Sequence, residues 1–290
     1  PQAGWSVEDL LATAEQLTDR EANPPRYGFA GNTLDDLQTF FDSTGAGATT
    51  RENRQLQPNY ASPAVQQAIQ QFAALTRDAS PYQRLVGYVR SQAVGNAVIG
   101  KPNEVERATY LANNQVAMWY TYATPQAEGA SAPAALAPLP ATWTPSIDTL
   151  LLSGMAIHRS SSAPEACWKF MQALGDAPVE QFGFAARRSL AEAQLARPDA
   201  AAGAAEVYQA LATTLQAEKN QSSLRASDEE QAFEYFWLMR AADRIVGEAD
   251  ASSVLAEAQS YTERYLVCVR GDRNQSLCAK EADPTFQGYR

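Results

Sequence analysis

Three aromatic side chains crowd one short stretch of this sequence, Trp119, Tyr120 and Tyr122 in "VAMWYTYA". Flat aromatic faces cover the apolar C–H surface of a sugar ring, and planar polar side chains beside them take its hydroxyls. The same residues serve equally to pack a core, and both roles stay open at this level. Alternation along a strand puts Tyr120 and Tyr122 on one face and Trp119 on the other. Catalysis has less to work with. His158 is the single histidine of the 290 residues, so any Ser–His–Asp or Cys–His arrangement has to use it. No His/Cys/Asp/Glu cluster has metal-ligand spacing and no glycine-rich phosphate loop is present, so no metal or cofactor is expected. The acid pairs Asp35–Asp36 and Glu229–Glu230 fall in first turns of expected helices, where they complement the helix dipole.

The elements that position these residues alternate between helix and strand. Ser6, with Asp9 three residues on, caps a helix whose apolar stripe is Val7, Leu10, Leu11, Ala14 and Leu17. "RYGFA", from Arg26 to Ala30, reads as a strand. Thr33 and Asp36 then form a second capping box ahead of Leu34, Leu37, Phe40 and Phe41. A turn-rich stretch, 43–59, leads to a third helix with Ser62 as cap, Pro63 at its first position, and Val65, Ala68, Ile69, Phe72 and Leu75 as its buried face. Residues 79–103 show no period and read as a surface excursion. A helix over 104–112 precedes the strand from Val116, and "ALAPLP", 135–140, reads as another strand. Beyond a strand at 150–158, Ser162 and Glu165 bracket a helix carrying Cys167, Phe170, Met171 and Leu174. The alanine-rich stretch 191–205 reads as a connector. Helices are expected over 206–219, over 229–246 with Phe233, Phe236, Ile245 and Val246 buried, and over 253–266. The alternation argues for an α/β fold with a largely parallel sheet.

Composition narrows the function classes. With 45% hydrophobic residues the chain can bury a substantial core, and its length suits one large or two medium domains. A net charge of −10 without any basic cluster argues against nucleic acid as a partner, because phosphate binding needs a Lys/Arg footprint. No apolar run approaches the length of a membrane span. Cys268 and Cys278 lie close enough in sequence to close a short loop, and Cys167 on an apolar helical stripe reads as a buried thiol. An even pair plus one thiol suits an oxidising compartment.

The order of these patterns resembles family 1 extracellular solute-binding proteins, the maltose-binding-like group that serves ABC importers. "GWSVEDLLATAEQLT" matches the family's helix opening in the second lobe. Leu111, Asn114, Ala117 and Met118 stand where the family has an aromatic-x-x-Gly-x-x-Ala-Met turn, and asparagine is the substitute for glycine that best tolerates a left-handed backbone. "SGMAIHRSSSAPEACWKF" matches the return to the first lobe, and "GFAARRS", 183–189, a segment usually containing Pro-Ala-Arg. The resemblance implies an α/β, periplasmic-binding-protein-like type II fold, mainly the second lobe with a helical excursion toward the first. Residues 1–150 would form the second lobe, 151–205 a strand and helices crossing to the first lobe, 206–266 helices returning, and 267–290 a disulfide-closed tail. The family's opening βα stretch has no counterpart here. Function follows as extracytoplasmic capture of a carbohydrate or other polar solute by a monomer, lipid-anchored in its precursor, for delivery to the membrane permease of an ABC importer. Ligand contacts would come from Trp119, Tyr120, Tyr122, Trp237 and Arg187. For Trp237 a buried anchor against the sheet is the competing role, and for Arg187 a solvated surface position. Trp5 and Trp168 fit structural positions, and export of the family implies a Cys268–Cys278 disulfide. An interaction or sensory module without a ligand is the second reading, and a carbohydrate-active enzyme the third.

Overall fold

The structure, a computed structural model, describes residues 4–52, 55–82, 84–85, 87–91, 95–99, 107–121, 135–140, 156–176, 183–185, 187–217, 235–271 and 273–286. Two compact units divide the chain. One comprises Trp5–Tyr120, Pro140–Thr144 and Ser222–Arg290, the other Pro1–Gly4, Thr121–Leu139 and Pro145–Gln221.

The larger unit is built on a pair of parallel strands, β1 (Tyr27–Ala30) and β6 (Val116–Trp119), in register Tyr27↔Val116, Phe29↔Met118 and Ala30↔Trp119. Helix α1 (Val7–Gln16) lies against β1, and its capping box is formed as expected, with the Ser6 hydroxyl accepting from the Asp9 N–H and the Asp9 carboxylate accepting from the Ser6 N–H. Helix and strand approach so closely that a Cβ on Gly28 would sit 1.8 Å from the Ala14 carbonyl oxygen. Only glycine fits there. Val7, Leu10 and Ala14 are buried, whereas Leu17 is a C-cap with 46% of its surface exposed, one residue beyond the stripe that the periodicity assigns to it. Helix α2 (Leu34–Thr44) buries Leu37, Phe40 and Phe41, and α3 (Pro63–Ala79) buries the whole face read from its sequence, under a Ser62 cap and with proline at its start.

The stretches that read as turns and excursion contain two antiparallel hairpins. They are β2 (Thr49–Glu52) with β3 (Gln55–Pro58), and β4 (Gly87–Ser91) with β5 (Gly95–Ile99). Charged and polar residues interrupt their alternation, which hid them. Helix α4 (Arg107–Ala112) then leads through Asn114 into β6. Asn114 has φ +54°, the left-handed conformation the sequence requires at this turn.

Helix α8 (Phe236–Val246) is buried nearly all round, through Phe236, Trp237, Leu238, Met239, Ala241, Ala242, Ile245 and Val246, and it packs on α3 and on α9 (Ala251–Val269). Phe233 lies outside the described residues. Asp250 caps α9 two residues earlier than the sequence suggests. The C-terminal tail is not merely a polar loop closed by a bridge. It holds a further helix, α10 (Gln275–Ala282), capped by Asn274 and tied to α9 by the Cys268–Cys278 disulfide, with Cys278 fully buried.

The smaller unit contains α5 (Pro164–Asp176), α6 (Arg188–Leu195) and α7 (Ala204–Ala217). Part of the alanine-rich stretch is thus helical. Residues 135–140 are not a strand; the Leu136 N–H donates to the Ala202 carbonyl instead of to a sheet neighbour. Residues 156–158 are likewise irregular, and 150–155 lie outside the described residues. On α5 the Cys167 thiol is half-buried rather than buried, near the Ser161 hydroxyl, and Trp168 and Phe170 are exposed. It is the Ser161 hydroxyl that accepts the Ala163 N–H at the start of this helix.

A buried carboxylate locks the C-terminal helices. Asp283 accepts from the Trp237 indole N–H, from Arg240, and from both the N–H and hydroxyl of Thr285. Burial opposes ionisation, but the Thr285 and Trp237 hydrogen bonds and the Arg240 charge outweigh it and hold the carboxyl below its ordinary value. Its stabilisation is therefore full above the unfolded carboxylate pKa of about 4 and fades as pH falls through the lower folded value. Asp283→Asn should destabilise by about 2 kcal/mol at neutral pH, a gap that narrows below about pH 4 in urea titrations. Replacing the cystine by two serines should cost about 2–3 kcal/mol on the same assay.

Candidate functional site

In open α/β sheets ligands bind beyond the carboxyl ends of the strands. Here β1 and β6 end level with one another, at Ala30 and Trp119. From Ala30 the chain turns through Gly31, Asn32 and Thr33 into α2. A Cβ on Gly31 would lie 2.3 Å from the Phe29 ring and 3.3 Å from the Asp36 Cβ, so the turn is as tight as glycine permits. Asp36 organises it. One carboxylate oxygen accepts from the Asn32 N–H (3.0 Å), the Thr33 N–H (3.0 Å) and the Thr33 hydroxyl (2.7 Å), while the Asp36 N–H donates back to Thr33. The other oxygen accepts from the Arg107 guanidinium at 3.3 Å. Asp36 itself is buried.

Three side chains at this edge have capacity to spare. The Asn32 amide carries no hydrogen bond to any described residue, although the residue is only 7% exposed. Arg107 places one donor on Asp36, and its side chain is 39% exposed. Trp119 is partly buried and packs on the cluster of Ala30, Tyr82, Leu111 and Val116. Tyr82 lies under this edge, its phenol pushed up to about 12 by burial, with the Asp36 charge adding to the rise and Arg107 opposing it. Tyr27, Tyr82 and Tyr110 stack edge to face beside it. An amide that donates and accepts, a guanidinium fork and an indole face suit a neutral, hydroxyl-rich ligand. They lack a nucleophile with an adjacent base.

The residues singled out in the sequence fall in different places. Trp119 stands at the site. Tyr120 points to the opposite face, as alternation requires, and packs edge-on against Phe29 with ring centroids 5.3 Å apart. Its hydroxyl is buried beside Ser43, and burial raises its pKa above the ordinary range. Trp237 is 1% exposed, its N–H committed to Asp283 at 3.1 Å and its ring set among Phe236, Tyr261 and Tyr265. Arg187 is the exposed N-cap of α6, in the smaller unit. Tyr122 lies outside the described residues. His158 is exposed and bonded to Ser160 two residues on, a local turn. Asn32 and Arg107 were missed because neither belongs to a motif; the signal was their position, just after a strand and two turns before the next.

Among the described residues no group of acids, histidines and cysteines could hold a metal ion, and no helix is long and apolar enough to cross a membrane. The fold is that of periplasmic-binding-protein-like solute-binding proteins. An ABC substrate-binding protein from Listeria monocytogenes in complex with cycloalternan superposes with a TM-score of 0.55 at 13% identity, over 92% of this chain and 65% of that one. A solute-binding protein of an ABC transporter from Agrobacterium radiobacter K84, in complex with ribitol, superposes with a TM-score of 0.52 at 17% identity, over 89% and 63%. The chain thus spans less than two thirds of either neighbour. No protein-family model and no curated protein matches the sequence.

The placement of Trp237 generates a sharp expectation. Trp237→Ala should destabilise the protein by about 3–5 kcal/mol, the range for a buried aromatic, and Trp237→Phe by clearly less. Chemical denaturation followed by circular dichroism decides; a Trp237→Ala protein as stable as wild type would mean that the indole is no core anchor.

Proposed function

We propose that this chain belongs to an extracytoplasmic solute-binding protein that captures a sugar or polyol and hands it to the permease of an ABC importer, without catalysing a reaction. The observation that carries the reading is the Asn32 amide, which bonds to no described residue, and the part-exposed Arg107 guanidinium near Trp119, at the edge where β1 and β6 end. Support also comes from the two neighbours of the same fold, whose bound molecules, cycloalternan and ribitol, are rich in hydroxyls. Within this reading the chain is a family 1 member lacking the opening part of the first lobe. Residues 1–150 and 206–266 would serve the second lobe, 151–205 would cross to the first, and 267–290 would be the tail tied down by the disulfide. Tyr122 and Arg187 stay ligand contacts that the resemblance alone implies. The protein would act as a monomer, lipid-anchored in its precursor.

Affinity in such a protein comes from contacts made only when two lobes close on the ligand. A chain with one wall of the cleft should therefore bind weakly, and the longer polypeptide tightly. Calorimetric titration with ribitol, maltose and a cyclic glucose oligosaccharide tests this. Trp119→Ala should cost about 1–3 kcal/mol of binding and Asn32→Ala about 1 kcal/mol, measured on variants first shown to be folded by circular dichroism. A sugar that binds wild type, Trp119→Ala and Asn32→Ala equally well would remove this edge from the site.

A further inference from the structure

Asp36 does more at the β1–β6 edge than close the turn. Its side chain is 4% exposed and forms the one ion pair that Arg107 makes among the described residues, at 3.3 Å. The Arg107 side chain stays 39% exposed, so the cation at this edge comes with its counter-charge built in behind it. A buried carboxylate beside a part-exposed guanidinium fixes the fork and opposes its charge, yet leaves it N–H groups that can donate. The other side chains placed here, Asn32, Tyr82 and Trp119, bring no charge. Tyr82 registers both members of the pair: beyond the effect of burial, Arg107 lowers the pKa of its phenol and Asp36 raises it. Arg20, a further cation beside the tyrosines, lies over the Tyr27 ring and donates to the Arg77 and Ser80 carbonyls. The chain as a whole carries a net charge of −10, which does nothing to draw anions in.

We infer that Asp36 sets the charge selectivity of this edge, so that it accepts neutral polyhydroxy solutes and rejects their carboxylated counterparts, aldonates and uronates. This rests on the proposed reading that the edge binds a solute. The argument is what each kind of solute gains. A hydroxyl needs only a donor or an acceptor at hydrogen-bond distance, and the Arg107 fork and the Asn32 amide supply both. A carboxylate has to shed its water shell, and only a cation that is not already paired compensates for that loss. Here it meets the guanidinium with Asp36 directly behind, and the repulsion of the one offsets the attraction of the other. Rejection by a like charge rather than by shape separates solutes of the same size. Asp36 is thus a positioning residue, acting through Arg107 rather than on the solute.

Solute pairs that differ in one group isolate the effect: ribitol with ribonate, and glucose with glucuronate. Equilibrium titration of the 290-residue chain at fixed ionic strength gives a Kd for each. Wild type should bind the neutral member about tenfold or more tightly than the carboxylate. Asp36→Asn keeps an amide oxygen for the Asn32 and Thr33 N–H groups but leaves the guanidinium unpaired, and should shrink the neutral-to-anionic preference by about tenfold. Arg107→Gln removes the cation and keeps the carboxylate, and should widen that preference. A merely structural fault weakens both members of a pair alike and leaves their ratio in place, so the opposite movements of the two variants are the signature. A wild type that binds the carboxylate as tightly as the neutral solute, or more tightly, overturns the inference and leaves solute capture standing. So does a ratio that stays fixed or moves the other way in either folded variant; if Asp36→Asn does not fold, Arg107→Gln decides alone. Failure of all four solutes to bind removes the proposed function, and this selectivity with it.

Discussion

The carboxylate of Asp36 is the point on which the site edge depends. It sits where a strand ends, a turn reverses and a helix begins, and it serves all three. Its hydrogen bonds from Asn32 and Thr33 fix the turn, its exchange with Thr33 caps α2, and its ion pair holds Arg107 at the start of α4. Removing a buried carboxylate would strand several donors at once, so the cost is set by what is left unpaired rather than by any single bond. The consequence for function is indirect. Asp36 takes up the backbone N–H of Asn32, and the Asn32 side-chain amide bonds to no described residue.

A second carboxylate does the corresponding work at the other end of the chain. Asp283 joins α8 to the segment after α10, and the Cys268–Cys278 bridge joins α10 to α9. Together they clamp the C-terminal helices onto the core of α3 and α8. Another such clasp, Arg84 with Asp243, which also accepts the Leu85 N–H, fixes the approach to β4. The larger unit is therefore held by three carboxylates that link distant parts of the sequence, over a core of aromatic and aliphatic side chains. This division of labour explains why Trp237 belongs to the scaffold: its N–H is one of the bonds that secure Asp283.

Much of this fold was legible in the sequence because local chemistry announced it. Ser6–Asp9, Thr33–Asp36 and Ser62–Pro63 mark helix starts by hydrogen-bonding rules that act over three residues, and the apolar faces of α1, α2 and α3 follow a period that needs no tertiary information. The hairpins were not legible, since Thr49–Glu52 and Gln55–Pro58 hold few apolar residues and derive their order from pairing. "ALAPLP" misled for the opposite reason: its apolar content is right for a strand, but prolines remove ladder donors. Trp237 carried a signal that could have been used. Four consecutive large apolar residues, Phe236 to Met239, cannot all face one side of a helix, so the helix had to be buried on several faces. Asn32 and Arg107 gave only a signal of position, because nothing else local distinguishes an asparagine after a strand from any other turn residue.

The two aromatic neighbours Trp119 and Tyr120 show how far one backbone decides function. Strand alternation sends them to opposite faces of β6, and the two faces differ in what covers them. Tyr120 meets Phe29 and the main core, where burial raises the energy of its ionised form and removes it from solvent. Trp119 meets a smaller cluster that covers only part of its ring. An indole already packed against its neighbours is pre-organised: little side-chain entropy is left to lose when a ligand surface arrives. The register that aligns Trp119 with Ala30 also aligns it with the turn that presents Asn32. A shift of one residue in that pairing would bury the tryptophan and expose the tyrosine in its place. The recognition surface is thus set by strand register first and by residue identity second.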